Sequence, residues 1–165
     1  MQEGTKQMQM LRLQITAKAQ LLIRRPAAEV FEAFVDPAIT TKFWFTRSSG
    51  RLKPGLKVRW DWDMYGAGSE VEVKAVEPNR RILIEWRSEG GATTVEWTFT
   101  SRAPDQTFVV ITESGFAGDG DAVAARAINS TAGFNIVLCG LKALLEHGLE
   151  LNLIPDVHPD ALVKT

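Results

Sequence analysis

Five tryptophans in 165 residues are the side chains of this sequence best suited to holding another molecule. Trp60, Trp62, Trp86 and Trp97 fall on the aliphatic side of alternating segments, and Trp44 stands at a helix-to-strand crossover. Rings placed this way either pack a core or line a pocket, where each offers apolar area and one N–H donor to a flat or hydrophobic ligand. Groups for bond-making chemistry are sparse by comparison. His147 and His158 have no cysteine or carboxylate at a metal-ligand spacing, so no metal site is expected. The run Gly118, Asp119, Gly120, Asp121 resembles a fragment of a calcium loop without the remaining ligands. It fits better a turn in which Asp119 or Asp121 caps a helix starting near Ala122. Asp61 and Asp63, beside Arg59, alternate away from the tryptophans and belong in solvent, whereas an acid–base pair must converge on one cavity. No catalytic residue and no cofactor is assigned.

The elements that position these side chains follow from periodicity. Ile15, Ala17, Ala19, Leu21 and Ile23 alternate with polar residues in a first strand. Pro26 opens a short helix with Val30, Phe31 and Phe34 on one side, and Asp36-Pro37 ends it. A second short helix is expected over 38–43, and a short strand over 46–50. Five clearer strands come next, carried by Leu56, Val58, Trp60 and Trp62; by Val71, Val73 and Ala75; by Ile82, Ile84 and Trp86; by Val95, Trp97 and Phe99; and by residues 108–113. Turn signals at 53–55, 66–68, 77–79, 89–91 and 103–105 separate them.

One long helix follows, expected over about 122–151. Phe134, Leu138, Leu141 and Leu145 form its stripe, widened by Val137, Leu144 and Leu151, with Asn135, Lys142, Glu146 and Glu150 opposite. A helix placed after a run of antiparallel strands buries such a stripe on the concave face of their sheet. The space between the two is the expected site, with Trp44, Trp60, Trp62, Trp86, Trp97, Phe134, Val137 and Leu141 as its ligand-binding residues. Gly133 and Gly140 flank Val137 and Leu144, where missing side chains allow either close packing or a vacant pocket wall.

Length and charge narrow the function classes. The chain is long enough for one domain, expected over 11–154 with a loose extension over 1–10 and a tail over 155–165. A net charge of −1, with basic residues clustered only as Arg24-Arg25 and Arg80-Arg81, leaves no footprint for nucleic acid. No stretch approaches the roughly 18 apolar residues of a membrane span. Cys139 has no partner for a disulfide, which fits a reducing cytoplasm. The apolar residues Leu151, Leu153 and Ile154 are a surface on which a homodimer could form.

The segments Pro26-Ala-Ala-Glu-Val-Phe-Glu-Ala-Phe-Val-Asp-Pro37, Lys42-Phe-Trp44, Pro54-Gly55, Val76-Glu-Pro-Asn-Arg-Arg-Ile-Leu-Ile-Glu-Trp86, Thr94-Val-Glu-Trp-Thr-Phe99 and Gly140-Leu-Lys-Ala-Leu-Leu-Glu146 together resemble the START-like (SRPBCC) superfamily. More narrowly, they are similar to bacterial proteins related to the C-terminal domain of the activator of Hsp90 ATPase. The resemblance covers residues 15–151. It implies an α+β helix-grip fold: a curved antiparallel sheet of six or seven strands around the long C-terminal helix, with two short helices closing one end. It also implies a cavity that takes lipids, sterols, polyketides or other apolar molecules in different members. Where many relatives carry glycine-tryptophan near the start of the long helix, this chain has Gly133-Phe134. The expected function is binding of an apolar or aromatic small molecule in that cavity. The alternatives are a cyclase or hydrolase working in the same cavity, and a protein-interaction module acting with a chaperone.

Overall fold

Short reversals between the strands leave no room for crossover helices, so neighbouring strands must run antiparallel. The computed structural model describes residues 15–88 and 90–164. In it β1 (Ala17–Ile23), β2 (Arg47–Ser48), β3 (Lys57–Trp62), β4 (Ala67–Glu77), β5 (Arg81–Ser88), β6 (Gly91–Ala103) and β7 (Gln106–Ser114) form one antiparallel seven-stranded sheet, in the order β1-β7-β6-β5-β4-β3-β2. The first strand pairs with the last, Ala17 opposite Glu113 and Ile23 opposite Thr107. The architecture is the expected α+β helix-grip. The extension over 1–10, and the first residues of the domain expected from 11, lie outside the described residues.

Between β1 and β2, α1 (Ala27–Val35) and α2 (Pro37–Thr40) close one end of the curved sheet. Asp36 separates them by accepting a hydrogen bond from the Ala38 amide at 2.9 Å, an N-cap directly before Pro37. Phe31 and Phe34 reach down from α1 to Phe99 of β6, with ring centroids 5.5 and 6.0 Å apart. The second helix is shorter than expected, because the chain turns after Thr40 to bring Phe43, Trp44 and Phe45 into the core.

The long helix α3 (Gly120–His147) starts at the Asp119 cap, whose Oδ1 accepts from the Ala122 amide at 2.8 Å. It stops earlier than the stripe suggests. Gly148 adopts the left-handed conformation at φ 65°, its N–H donates to Leu144 O, and the Leu149 N–H donates to Ala143 O. Leu151 therefore lies beyond the helix and is exposed. Two further expectations are corrected locally. A bulge between Val73 and Ala75 breaks the alternation of β4, so Val76 and not Ala75 packs on the core. Leu56 precedes β3 and is exposed.

Phe134, Val137, Leu138 and Leu141 of α3 are buried on the sheet, with Leu144 and Leu145 half-buried below them. Lys142 and Glu146, expected on the solvent side, instead lie over the end of β1. Lys142 Nζ donates to Leu22 O at 2.9 Å, and the Arg24 amide donates to Glu146 Oε2 at 3.1 Å. Burial would raise the Glu146 pKa, but the Lys142 ammonium and the Arg24 amide outweigh it and hold the carboxyl below its ordinary value. By length and mean hydropathy, 1.3 over its best window, α3 is long and apolar enough to cross a membrane, a test that the core helix of a globular fold also passes. Aliphatic residues carry that hydropathy, and Val137, Leu138 and Leu141 among them are buried on the sheet.

Beyond α3, α4 (Leu153–Val157) and a 3₁₀ turn at Pro159–Ala161 return the chain across the sheet edge. Tyr65 Oη donates to Ile154 O, and the Val163 amide donates to Met64 O at 2.9 Å. The residues expected as a tail thus have hydrogen-bonded positions, and α4 crosses the boundary placed at 155.

Candidate functional site

The first half of α3 stands away from β3, β4 and β5, and the opening between them is a cavity of about 580 Å³. Trp62, at the end of β3, and Trp86, toward the end of β5, form its sheet side, and Trp44 reaches in from the crossover after α2. Gly133, Phe134 and Val137 form its helix side, and Tyr65, Ile154 and His158 its rim. The rings fix one another. Trp86 and Phe134 stack at 5.9 Å and 19°, and Trp44 meets Trp62 and Trp86 edge-on, each at 6.1 Å. Offset and edge-to-face contacts of this kind hold a wall in place before any ligand arrives.

The eight expected ligand-binding residues divide between this cavity and the core. Trp44, Trp62, Trp86, Phe134 and Val137 line the cavity. Trp60 and Trp97 do not: each is 1 % exposed, Trp60 stacked on Phe45 at 4.8 Å and Trp97 under Trp44 at 6.0 Å. Leu141 is fully buried beneath the helix and also lies outside the cavity. Alternation assigns a face correctly but not a depth along the strand; the mid-strand rings are sealed under the α2–β2 crossover, and those near strand ends face the opening.

The two helix glycines differ in the same way. A Cβ at Gly133 would meet nothing within 4 Å, whereas one at Gly140 would lie 3.4 Å from Phe43 Cβ and 3.5 Å from Phe43 O. Gly133 is thus the vacant position. Gly140 lets the crossover backbone approach α3, beside a separate recess of about 200 Å³. A larger groove of about 890 Å³ lies at the opposite end of α3, between α1, the β4–β5 turn and Leu144 and Leu145. Its rim carries the Arg51–Glu32 ion pair, with Nη2 donating to Oε2 at 2.8 Å, and tryptophans are absent from its walls.

A polar group that the sequence reading passed over lies at the inner wall. Glu113 belongs to the buried register of β7 with Thr107, Val109 and Ile111, and is 4 % exposed. Its Oε1 accepts from Thr93 Oγ1 at 2.9 Å and from Trp86 Nε1 at 3.4 Å; the same indole N–H also reaches Thr93 Oγ1 at 3.0 Å. Among the described residues its Oε2 is buried without a hydrogen-bond partner, as are Trp60 Nε1 and Trp97 Nε1. Only Glu113 of these three residues lines the cavity. Arg126 lines it too, but its guanidinium donates to Gly90 O and Ala117 O and lies 5.4 Å over the Phe116 ring. Elsewhere, Asp61 and Asp63 pair with Arg59 and Arg47 outside the cavity, the Arg47 hydrogen bond lowering the Asp63 pKa. His147 is exposed on the last turn of α3.

A family model for activator of Hsp90 ATPase homolog 1-like proteins matches residues 24–146, most of the chain. The chain belongs to that family. Among solved structures, the protein SSP2350 from Staphylococcus saprophyticus superposes with a TM-score of 0.71 at 27 % identity, covering 83 % of this chain and 96 % of that one. DynU16, from the dynemicin biosynthetic locus, superposes at 0.72 and 26 % identity, covering 82 % of this chain but 49 % of its own. The Aha1 dimer from Colwellia psychrerythraea, at 20 % identity and a TM-score of 0.69, shares the fold over 81 % of this chain and 98 % of that one. No curated protein matches the sequence significantly.

Proposed function

We propose that the protein binds an apolar or aromatic small molecule, lipid-like or polyketide-like, between the first half of α3 and the sheet. The observation that carries this reading is the aromatic cavity itself: about 580 Å³, inside the range of roughly 300–1,000 Å³ typical of small-molecule sites, with a vacancy at Gly133. A ligand burying about 300 Å² of apolar surface gains on the order of 7 kcal/mol before the costs of association, which supports micromolar affinity. The likeness to DynU16, a protein of the dynemicin biosynthetic locus, agrees with a small-molecule ligand.

Isothermal titration with the flat, neutral probe 2-methoxynaphthalene tests this. Micromolar to submillimolar binding with a negative heat-capacity change is expected. Absence of binding by this probe and by larger fused-ring probes up to their solubility would contradict it. A catalytic use of the same cavity, of the cyclase or hydrolase kind, is favoured by one observation, the buried Glu113 carboxyl at its wall. Incubation with activated esters and polyketide analogues, followed by product analysis, distinguishes turnover from binding. A homodimer through exposed Leu149 and Leu151, and residence in a reducing cytoplasm suited to the lone Cys139, complete the proposal. Sedimentation velocity of the wild type against Leu151→Glu reads the former.

A further inference from the structure

We infer that Glu113 selects the ligand's chemistry: the cavity takes a flat apolar molecule that carries a hydroxyl, and Glu113 Oε2 accepts that hydroxyl's proton in a hydrogen bond. The inference rests on the reading that the cavity binds an apolar molecule. A buried carboxyl is ordinarily surrounded by donors, because leaving it unpaired forfeits its hydration without return. Here both available donors, the Thr93 hydroxyl and the Trp86 indole N–H, converge on Oε1. Oε2 is left with none, and among the described residues no ion pair compensates Glu113.

Among the described residues, the partners of Glu113 on the adjoining strands offer no substitute donor. Across the ladders Glu113 faces Ala17 and Val95, both fully buried and apolar. Arg126, the cation that shares the cavity, is held to backbone carbonyls at Gly90 and Ala117. Glu113 lines the cavity, so the donor that Oε2 lacks is available from a molecule held there, and a carboxyl oxygen without its own proton accepts only. The Trp86 ring, fixed by the same hydrogen bonds and stacked on Phe134, gives the hydroxyl-bearing ring an apolar surface to lie along. A ligand without the hydroxyl would still bury its rings there but would leave Oε2 unpaired. Sites built to pair a substrate hydroxyl discriminate strongly against analogues that lack it.

Three probes of one ring system separate the cases: 2-naphthol, which donates; 2-methoxynaphthalene, which does not; and 2-acetylnaphthalene, which only accepts. Wild-type protein is expected to bind 2-naphthol about tenfold or more tighter than 2-methoxynaphthalene, as the cost of leaving a buried acceptor unpaired implies. In Glu113→Gln, with the amide oxygen kept on Thr93 and the amide N–H₂ turned to the cavity, that preference should fall below about threefold. Equal wild-type affinities for 2-naphthol and 2-methoxynaphthalene would overturn the inference while leaving the cavity reading intact. Wild-type preference for 2-acetylnaphthalene would also overturn it, by making Glu113 the donor. If none of the three binds, the cavity reading falls first and this inference with it. The wild-type comparison decides the matter even where the variant does not fold.

Discussion

Leucine at Gly133 and leucine at Gly140 should have opposite effects, although the two positions are seven residues apart on one helix. Glycine inside a helix costs roughly 0.8–1 kcal/mol relative to alanine, and leucine recovers most of this. At Gly133 nothing lies within 4 Å of the new Cβ, so the gain is realised and the side chain occupies the cavity. For a domain of this size roughly 1 kcal/mol corresponds to about 2–4 °C in Tm, so Gly133→Leu should raise Tm by a few degrees. At Gly140 the Cβ already touches Phe43 Cβ and O at 3.4 and 3.5 Å, and the rest of a leucine must displace the crossover backbone. Overpacking of this kind typically costs 1–3 kcal/mol, and an obstructing backbone puts it at the upper end. Gly140→Leu should lower Tm by about 4–8 °C after the helix gain is subtracted. Thermal unfolding gives both shifts, and calorimetric titration with 2-methoxynaphthalene gives the function: binding lost in the more stable Gly133→Leu, and retained in Gly140→Leu below its Tm. A folded Gly133→Leu that binds the probe with wild-type affinity would refute the placement of the site.

Other expectations follow from single contacts. Leu141→Asp puts a carboxylate at a fully buried position and should cost about 3 kcal/mol or more, seen as loss of cooperative unfolding near room temperature. Glu146→Ala removes the acceptor for the Arg24 amide and the partner of Lys142, so about 1 kcal/mol is expected in denaturant titration instead of the near-neutral value of a solvent-facing residue. Because the folded pKa of Glu146 is lowered, its contribution is present above the ordinary value of 4.5 and is lost as pH falls through the folded value. Wild-type stability should therefore decline more steeply below that pH than stability of Glu146→Gln. Tyr65→Phe removes the hydrogen bond to Ile154 O and should accelerate amide exchange across residues 153–163 at a cost of about 1 kcal/mol.

The sheet and the grip were legible because alternation and short turns leave few arrangements. Val58, Trp60, Val95, Trp97 and Ile111 all lie on the inner face that period two assigns them. What was not legible is where along that face the helix leaves a gap. That depends on the path of residues 41–46, whose rings fill the space above Trp60 and Trp97 and whose backbone meets Gly140. Local spacing carries no signal for such a path. Glu113 is a different case. Its alternation with Val109 and Ile111 puts a carboxylate in an inward register, which is a readable anomaly when a strand is taken residue by residue. Lys142 and Glu146 were misread because a helical wheel shows which side opposes the stripe, not that β1 extends far enough to cover part of that side.

Three of the five tryptophans face the cavity and two belong to the closed core. Each indole N–H gives its own cross-peak in a nitrogen–proton correlation spectrum, assignable by Trp→Phe substitution. Titration with 2-methoxynaphthalene should move the Trp44, Trp62 and Trp86 indole peaks in a saturable way and leave those of Trp60 and Trp97 nearly in place. Saturable movement led by Trp60 and Trp97, or five unmoved peaks under conditions where calorimetry records binding, would contradict the account.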